Sequence, residues 1–142
     1  MIRRASAEDA AAIGEVFVAA RDQMTYLPRI PEEDRQHLGE WLFERHELWV
    51  DEEDKAVVGF VAFSETMLDH IYIRPDMQGR GVGLRLLNTA KANRPRGLEL
   101  WVFQKNAGAR RFYERHGFRL VELTDGTRNM ELEPDARYEW RP

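Results

Sequence analysis

Leu68-Asp69-His70-Ile71-Tyr72-Ile73-Arg74-Pro75-Asp76-Met77-Gln78-Gly79-Arg80-Gly81-Val82-Gly83-Leu84-Arg85-Leu86-Leu87 reads as a strand, a turn with three alternate glycines, and an amphipathic helix. Pro75 biases Arg74 away from helix and closes the strand. Glycines carry no side chain to hold a ligand off the backbone, and they reach conformations that aim successive amides at one cluster of oxygens. The helix that starts beyond them adds unpaired amides and the positive end of its dipole. The stretch therefore has the form of a phosphate site. It lacks the Gly-Lys-Ser/Thr ending of a P-loop and the glycine spacing of a dinucleotide fingerprint, so neither ATP hydrolysis nor hydride transfer is indicated.

Upstream, Ala56 to Ser64 is apolar on both alternating faces, which marks a central strand. Glu47 to Val50 precedes it, with Asp51-Glu52-Glu53-Asp54 as the expected hairpin turn. Ile2 to Ala5 is a short strand, and Ser6 with Asp9 forms a capping pair for a helix whose Ala10, Ile13, Phe17 and Ala20 share one face. Arg21 to Ile30 loses periodicity. Pro31 suits the first turn of a second helix, with Leu38, Trp41 and Leu42 as its apolar stripe.

Downstream, Val82, Leu86, Leu87 and Ala90 line a helix ending near Asn93, and Leu98 to Phe103 is an aromatic-rich strand. Asn106 caps a short helix that Gly117 terminates. Arg119 to Leu123 and Ala136 to Trp140 close the fold, with Asp125-Gly126 turning between them. The order β-α-α-β-β-β-α-β-α-β-β predicts a single α/β domain over residues 1–142.

The composition limits the chemistry. The chain has 142 residues, 43% hydrophobic and 32% charged, and no cysteine, which removes disulfides, thiolate metal sites and a cysteine nucleophile. A formal net charge of -4 argues against nucleic acid as partner. The longest apolar run, Ala56 to Phe63, is too short for a bilayer, so no membrane association and a cytoplasmic location are expected. His37, His46 and His116 lack metal-ligand spacing, and no metal is implied.

Gln78-x-x-Gly81-x-Gly83 behind its strand resembles the acetyl-CoA signature of GCN5-related N-acetyltransferases (GNAT), Gln/Arg-x-x-Gly-x-Gly/Ala. Asn106-x-x-Ala109-x-x-Phe112-Tyr113-x-x-x-Gly117-Phe118 matches that family's second motif. The resemblance covers nearly the whole chain. It implies a mixed, mostly antiparallel sheet flanked by helices, with splayed central parallel strands. It also implies acetyl-CoA as acetyl donor and a primary amine of a small molecule or peptide as acceptor, with direct transfer in a ternary complex. Members of the family often dimerise, so a homodimer is an expected form. A noncatalytic acyl-CoA sensor or interaction module on the same fold is the competing reading.

On this resemblance the backbone of Ile71, Tyr72 and Ile73 pairs with the pantetheine arm, while Gln78, Gly79, Arg80, Gly81, Val82, Gly83 and Leu84 wrap the pyrophosphate. Asn106, Ala109, Phe112 and Tyr113 complete the binding site from the second motif. Hydrogen bonds to charged groups contribute roughly 1.5 to 3 kcal/mol each, so several amides outweigh the side chains of Arg80 or Arg85. Tyr113 is the expected acid for the leaving thiolate, since a phenol of pKa about 10 can protonate a thiolate of about 8.5.

Asp69 is the first candidate base, because alternation puts it on the strand face of Ile71 and Ile73. Glu99, Glu65 and His70 are further candidates, with His70 on the opposite face. Trp101 stands where members that acetylate protein N-termini often have glutamate, five residues ahead of Asn106, which weakens that substrate reading. Met24, Tyr26 and Trp140 are candidates for an apolar wall around the acceptor.

Overall fold

The computed structural model describes all 142 residues. Its elements are β1 (Ile2–Arg4), α1 (Ala10–Asp22), α2 (Glu32–Arg35), α3 (Leu38–Arg45), β2 (Glu47–Glu53), β3 (Ala56–Ser64), β4 (Met67–Ile73), α4 (Val82–Asn93), β5 (Leu98–Phe103), α5 (Ala107–Arg115), β6 (Arg119–Leu123) and β7 (Asp135–Trp140). The seven strands form one sheet in the order β1-β2-β3-β4-β5-β7-β6. Every neighbouring pair is antiparallel except β4 with β5.

The alternation of β3 explains the layers. Val61 and Phe63 pack with Leu86, Leu87, Leu100 and Tyr113 beneath α4 and α5. Phe60 and Ala62 pack with Ile13, Phe17 and Leu42 beneath α1 and α3. A strand covered on both faces must be apolar on both, which is how β3 reads. At the entrance to α1, the Ser6 backbone N–H donates to Asp9 Oδ2 at 2.8 Å, and Arg3 holds the same carboxylate through two contacts of 2.8 Å.

Three local expectations are corrected. The second helix is not continuous after Pro31: it breaks beyond Arg35 and restarts at Leu38. Packing sets the break, since α3 must bring Gly39 onto α1, where an added Cβ would lie 1.8 Å from the Ala10 carbonyl oxygen. Trp41 does not join the apolar stripe. It is 42% exposed, with the Arg45 guanidinium 4.8 Å over its ring.

The acidic hairpin turn also falls elsewhere. β2 runs through Glu53, and the turn is made by Asp54 and Lys55 at φ 51° and 65°. Asp51 is fully buried within the strand, held by the Met1 ammonium at 2.8 Å and by Arg85 of α4 at 2.8 Å. A buried charge needs such partners, and α4 supplies one that no local pattern foretold.

Candidate active site

The parallel pair β4 and β5 touches at only one register, Met67 with Glu99, where the Glu99 N–H donates to the Thr66 carbonyl at 2.9 Å. Beyond that point the strands diverge into a V. On its other edge β4 stays paired with β3, and the Arg74 N–H donates to the Val58 carbonyl at 2.8 Å. Antiparallel alternation then directs the backbone groups of Tyr72 and His70 toward β3 as well. Those of Ile71 and Ile73 point into the V, with no strand opposite.

The glycine turn closes the wide end of this gap. Gly79 and Gly81 have φ of 78° and 85°, a left-handed region costly for residues with a Cβ. Nothing lies within 4 Å of where a Gly79 Cβ would stand, so the protein itself leaves that space open. Gly81 caps α4, and the first helical bond runs from the Arg85 N–H to the Gly81 carbonyl at 3.1 Å. The amides of Val82, Gly83 and Leu84 are thus left without helical partners, facing outward from the N-terminus. Gln78 pins the turn by donating to the Gln23 side-chain oxygen at 3.0 Å and to the Ile73 carbonyl at 3.3 Å.

These features border one cavity of about 860 Å³. Ile71, Tyr72 and Ile73 line it from β4, and Gln78, Gly79, Gly81, Val82, Gly83 and Leu84 from the turn. Asn106, Ala109, Phe112 and Tyr113 line it from α5. Arg80 is exposed and does not line it, while Arg85 is drawn away to Asp51. Asn106 is the helix cap, its side-chain oxygen accepting from the Ala109 N–H at 3.2 Å. That cap orients α5 so that Tyr113 packs between Phe112 and Phe118, at ring distances of 5.4 and 5.5 Å. Burial, and to a lesser degree the neighbouring Tyr72, push the Tyr113 phenol above its ordinary pKa, so it stays protonated at neutral pH. Of the residues expected at the acceptor wall, Met24 and Tyr26 line the cavity; Trp140 instead packs on Phe118 at 6.4 Å.

Asp69 is not on the face of Ile71 and Ile73. The register of β3 with β4 slips between Ala62 and Phe63, pairing Ala62 with His70 and Phe63 with Leu68. Asp69 is the extra residue of this β-bulge, so Leu68 takes the α4 side with Ile71 and Ile73. Asp69 instead accepts a contact from His46 Nε2 at 3.1 Å and a hydrogen bond from Ser64 Oγ at 3.1 Å. His46 Nδ1 lies 3.0 Å from the Leu42 carbonyl.

Both ring nitrogens of His46 therefore face acceptors, which fits an imidazolium. Burial opposes its charge, but the bonds to Asp69 and Leu42 prevail and raise its pKa. Burial likewise opposes ionisation of Asp69, yet the His46 contact prevails and holds it below the usual carboxylate range. His70, with His46 at 5.7 Å and Phe17 at 5.2 Å, is pushed down to about 4 by burial and stays neutral.

The same face carries the side chain of Tyr72, of which the motif implied only the backbone, and Arg21 and Phe103, which no motif announced. Tyr72 stands edge-on to Phe17 at 5.1 Å, and Arg21, at the end of α1, reaches Glu131 of the β6–β7 loop at 3.4 Å. Trp101 and Phe103 border a second cavity of about 390 Å³ on this side, with Glu131. Tyr72 lines the larger cavity and also contacts α1, so it joins the two sides of the V.

Residues 44–120 match the family model of the acetyltransferase (GNAT) domain. The chain belongs to the GNAT family. It is 36% identical over 107 residues to an uncharacterized N-acetyltransferase of Methanocaldococcus jannaschii, an alignment covering 63% of this chain and 47% of that protein. It is 37% identical over 75 residues to the peptidyl-lysine N-acetyltransferase YiaC of Escherichia coli, covering 52% of this chain and 51% of that one. The chain thus spans about half the length of these curated relatives.

Among solved structures, apo-form YjaB from Escherichia coli superposes with a TM-score of 0.77 at 25% identity, over 99% of this chain and 96% of that one. A putative acetyltransferase of Salmonella typhimurium solved with acetyl-CoA has the same fold, with a TM-score of 0.78 at 21% identity over 99% and 92% of the two chains. The mixed seven-stranded sheet flanked by helices is the GNAT fold. No helix of this GNAT chain is long and apolar enough to cross a membrane.

Proposed function

We propose that residues 1–142 form one GNAT acetyltransferase domain that moves the acetyl group of acetyl-CoA to a primary amine, of a small molecule or a peptide, by direct transfer in a ternary complex. One observation carries the reading: unpaired strand backbone, unpaired helix amides and a buried phenol meet in a single cavity within the V. The named N-acetyltransferase relatives, one of them acting on peptidyl-lysine, support the acceptor class.

The cavity fits the donor. Val82, Gly83 and Leu84 offer amides to the pyrophosphate, and the open space over Gly79 leaves room for it. Ile71 and Ile73 offer a strand edge to the amides of the pantetheine arm. The bound donor supplies a thioester carbonyl, which an unprotonated amine attacks, forming the new C–N bond and breaking the C–S bond. Tyr113, uncharged and buried, donates its proton to the departing sulfur. Asp69 stands outside the cavity lining, where the β4 bulge turns it toward His46, and takes the amine proton through water, supported by His46.

Tyr113→Phe tests the assignment. Thiol release should fall by about 10²-fold or more, the scale of general acid catalysis, with acetyl-CoA affinity nearly unchanged. A wild-type protein that binds acetyl-CoA but acetylates no amine in a broad panel, scored by product mass, would instead be a sensor.

A further inference from the structure

The wall of the V that faces α5 offers a ligand mostly carbon. Ala20, Gln23, Met24 and Tyr26 line the larger cavity from the end of α1 and the segment after it, and Tyr72 lines it from β4. Tyr72 belongs to the α1 side, since its ring stands edge-on to Phe17 at 5.1 Å. The side-chain oxygens of this wall are spent inside the protein or closed off. The Tyr72 hydroxyl is engaged by Arg21, and the Gln23 oxygen accepts from Gln78 at 3.0 Å. The Tyr26 hydroxyl is buried away from solvent, so that residue offers only its ring. What remains is a methyl group, a thioether and two aromatic rings, surfaces that bind apolar bodies.

The charges around the cavity point the same way. No aspartate or glutamate lines it, and its Lys105 and Arg115 are both cations. A second ammonium on the acceptor therefore meets repulsion and no counter-ion. A carboxylate on the acceptor finds no free cation on this wall. Lys105, which covers the Tyr26 ring at 5.7 Å, is paired with Glu133 at 3.2 Å, and Arg115 stands on α5 across the V. A charge that leaves water for such a site loses its hydration and gains no partner, a loss an apolar group does not suffer.

We propose that the acceptor is a lipophilic monoamine, a small primary amine whose remaining body is apolar and uncharged, lying against Met24, Tyr26 and Tyr72. This rests on the acetyl-transfer reading above and names its substrate class. The amine is then the acceptor's one polar group, and it projects from the wall toward the thioester. A lysine within a peptide shares the single amine, but it brings main-chain amides for which the wall has no partners.

Matched pairs test this, each followed by thiol release from acetyl-CoA. Pentylamine is set against cadaverine, which adds an ammonium, and phenethylamine against phenylalanine, which adds a carboxylate; an end-capped lysine peptide completes the panel. Pentylamine and phenethylamine should be preferred to their charged partners by about 10- to 10²-fold in kcat/KM, the penalty of an unpaired charge, and the peptide should fall below both. Met24→Glu supplies a counter-ion and should narrow the gap between pentylamine and cadaverine by about 10-fold through acceptor KM, with little change in acetyl-CoA KM. Met24→Gln, of the same shape without the charge, should leave that gap in place. Equal rates within each pair, a wild-type preference for cadaverine, phenylalanine or the peptide, or a gap that the two Met24 variants alter alike would overturn the proposal.

If no amine releases thiol, the transfer reading fails by itself. The wall is then judged by equilibrium dialysis of N-acetylpentylamine and N-acetylcadaverine with CoA present. Tighter binding of the uncharged amide upholds the proposal; equal binding, tighter binding of the charged one, or no binding of either refutes it.

Discussion

The two sides of the V between β4 and β5 are made by opposite means. On the side proposed for the donor, the cradle consists largely of main chain: the outward amides of Ile71 and Ile73, the turn at Gly79 and Gly81, and the first amides of α4. On the side proposed for the acceptor it consists of side chains from distant segments, with Tyr26 after α1, Tyr72 on β4, Phe103 on β5 and Glu131 in the β6–β7 loop. A main-chain cradle needs only glycines and caps in the right order, so it leaves a contiguous trace in the sequence. A side-chain pocket exists only after the sheet has formed, and leaves none.

Substitutions should therefore separate the two sides. After Tyr113→Phe, the largest effect belongs to Gly81→Val. A β-branched residue at φ 85° strains the cap and crowds the amides, so acetyl-CoA KM should rise by about 10-fold or more. Acceptor KM should barely move. Arg85→Ala, only four residues on, should leave acetyl-CoA KM within about threefold, because its guanidinium serves Asp51; urea unfolding should show a loss of about 1–3 kcal/mol instead.

On the acceptor side, Asp69→Asn should lower kcat/KM by about 10-fold at neutral pH, at the modest end of a base acting through water. The defect should shrink above about pH 9, where the amine loses its proton unaided. A defect that is unchanged across pH would remove Asp69 as proton acceptor.

The smallest effect concerns stability in mild acid. His70 is held neutral, pushed down to about 4 by burial, whereas an unfolded histidine titrates near about 6.5. The unfolded chain thus binds the proton first, and the stability this group contributes is full above pH 6.5 and is lost as pH falls toward 4. His46 has the opposite sign: its raised pKa adds stability below 6.5 that disappears as pH rises through the folded value. His70→Gln should flatten the urea midpoint between pH 6.5 and 4, and His46→Gln should flatten the fall of the midpoint as pH rises above 6.5.

Much of the frame was legible beforehand. The succession of strands along the chain, the two-sided burial of β3, the Ser6–Asp9 cap and the Asn106 cap all follow from local chemistry that the fold keeps. The failures share one cause, tertiary packing overriding a local pattern. Strict alternation places Asp69 with Ile71, but the bulge inserts one residue and turns it over. Asp51 reads as a turn residue until Arg85 arrives from α4. Arg21 falls in a stretch that reads as aperiodic, yet it belongs to the last turn of α1, and only the fold brings it over Phe103.

The main-chain cradle can be observed residue by residue. In amide NMR spectra recorded while acetyl-CoA is added, Ile71, Ile73 and Val82 through Leu84 should show the largest shifts and the strongest slowing of hydrogen exchange, with Asp69 and His46 little affected. Large changes elsewhere, with the amides of Ile71, Ile73 and the α4 N-terminus unmoved, would contradict a donor site built from the open edge of β4.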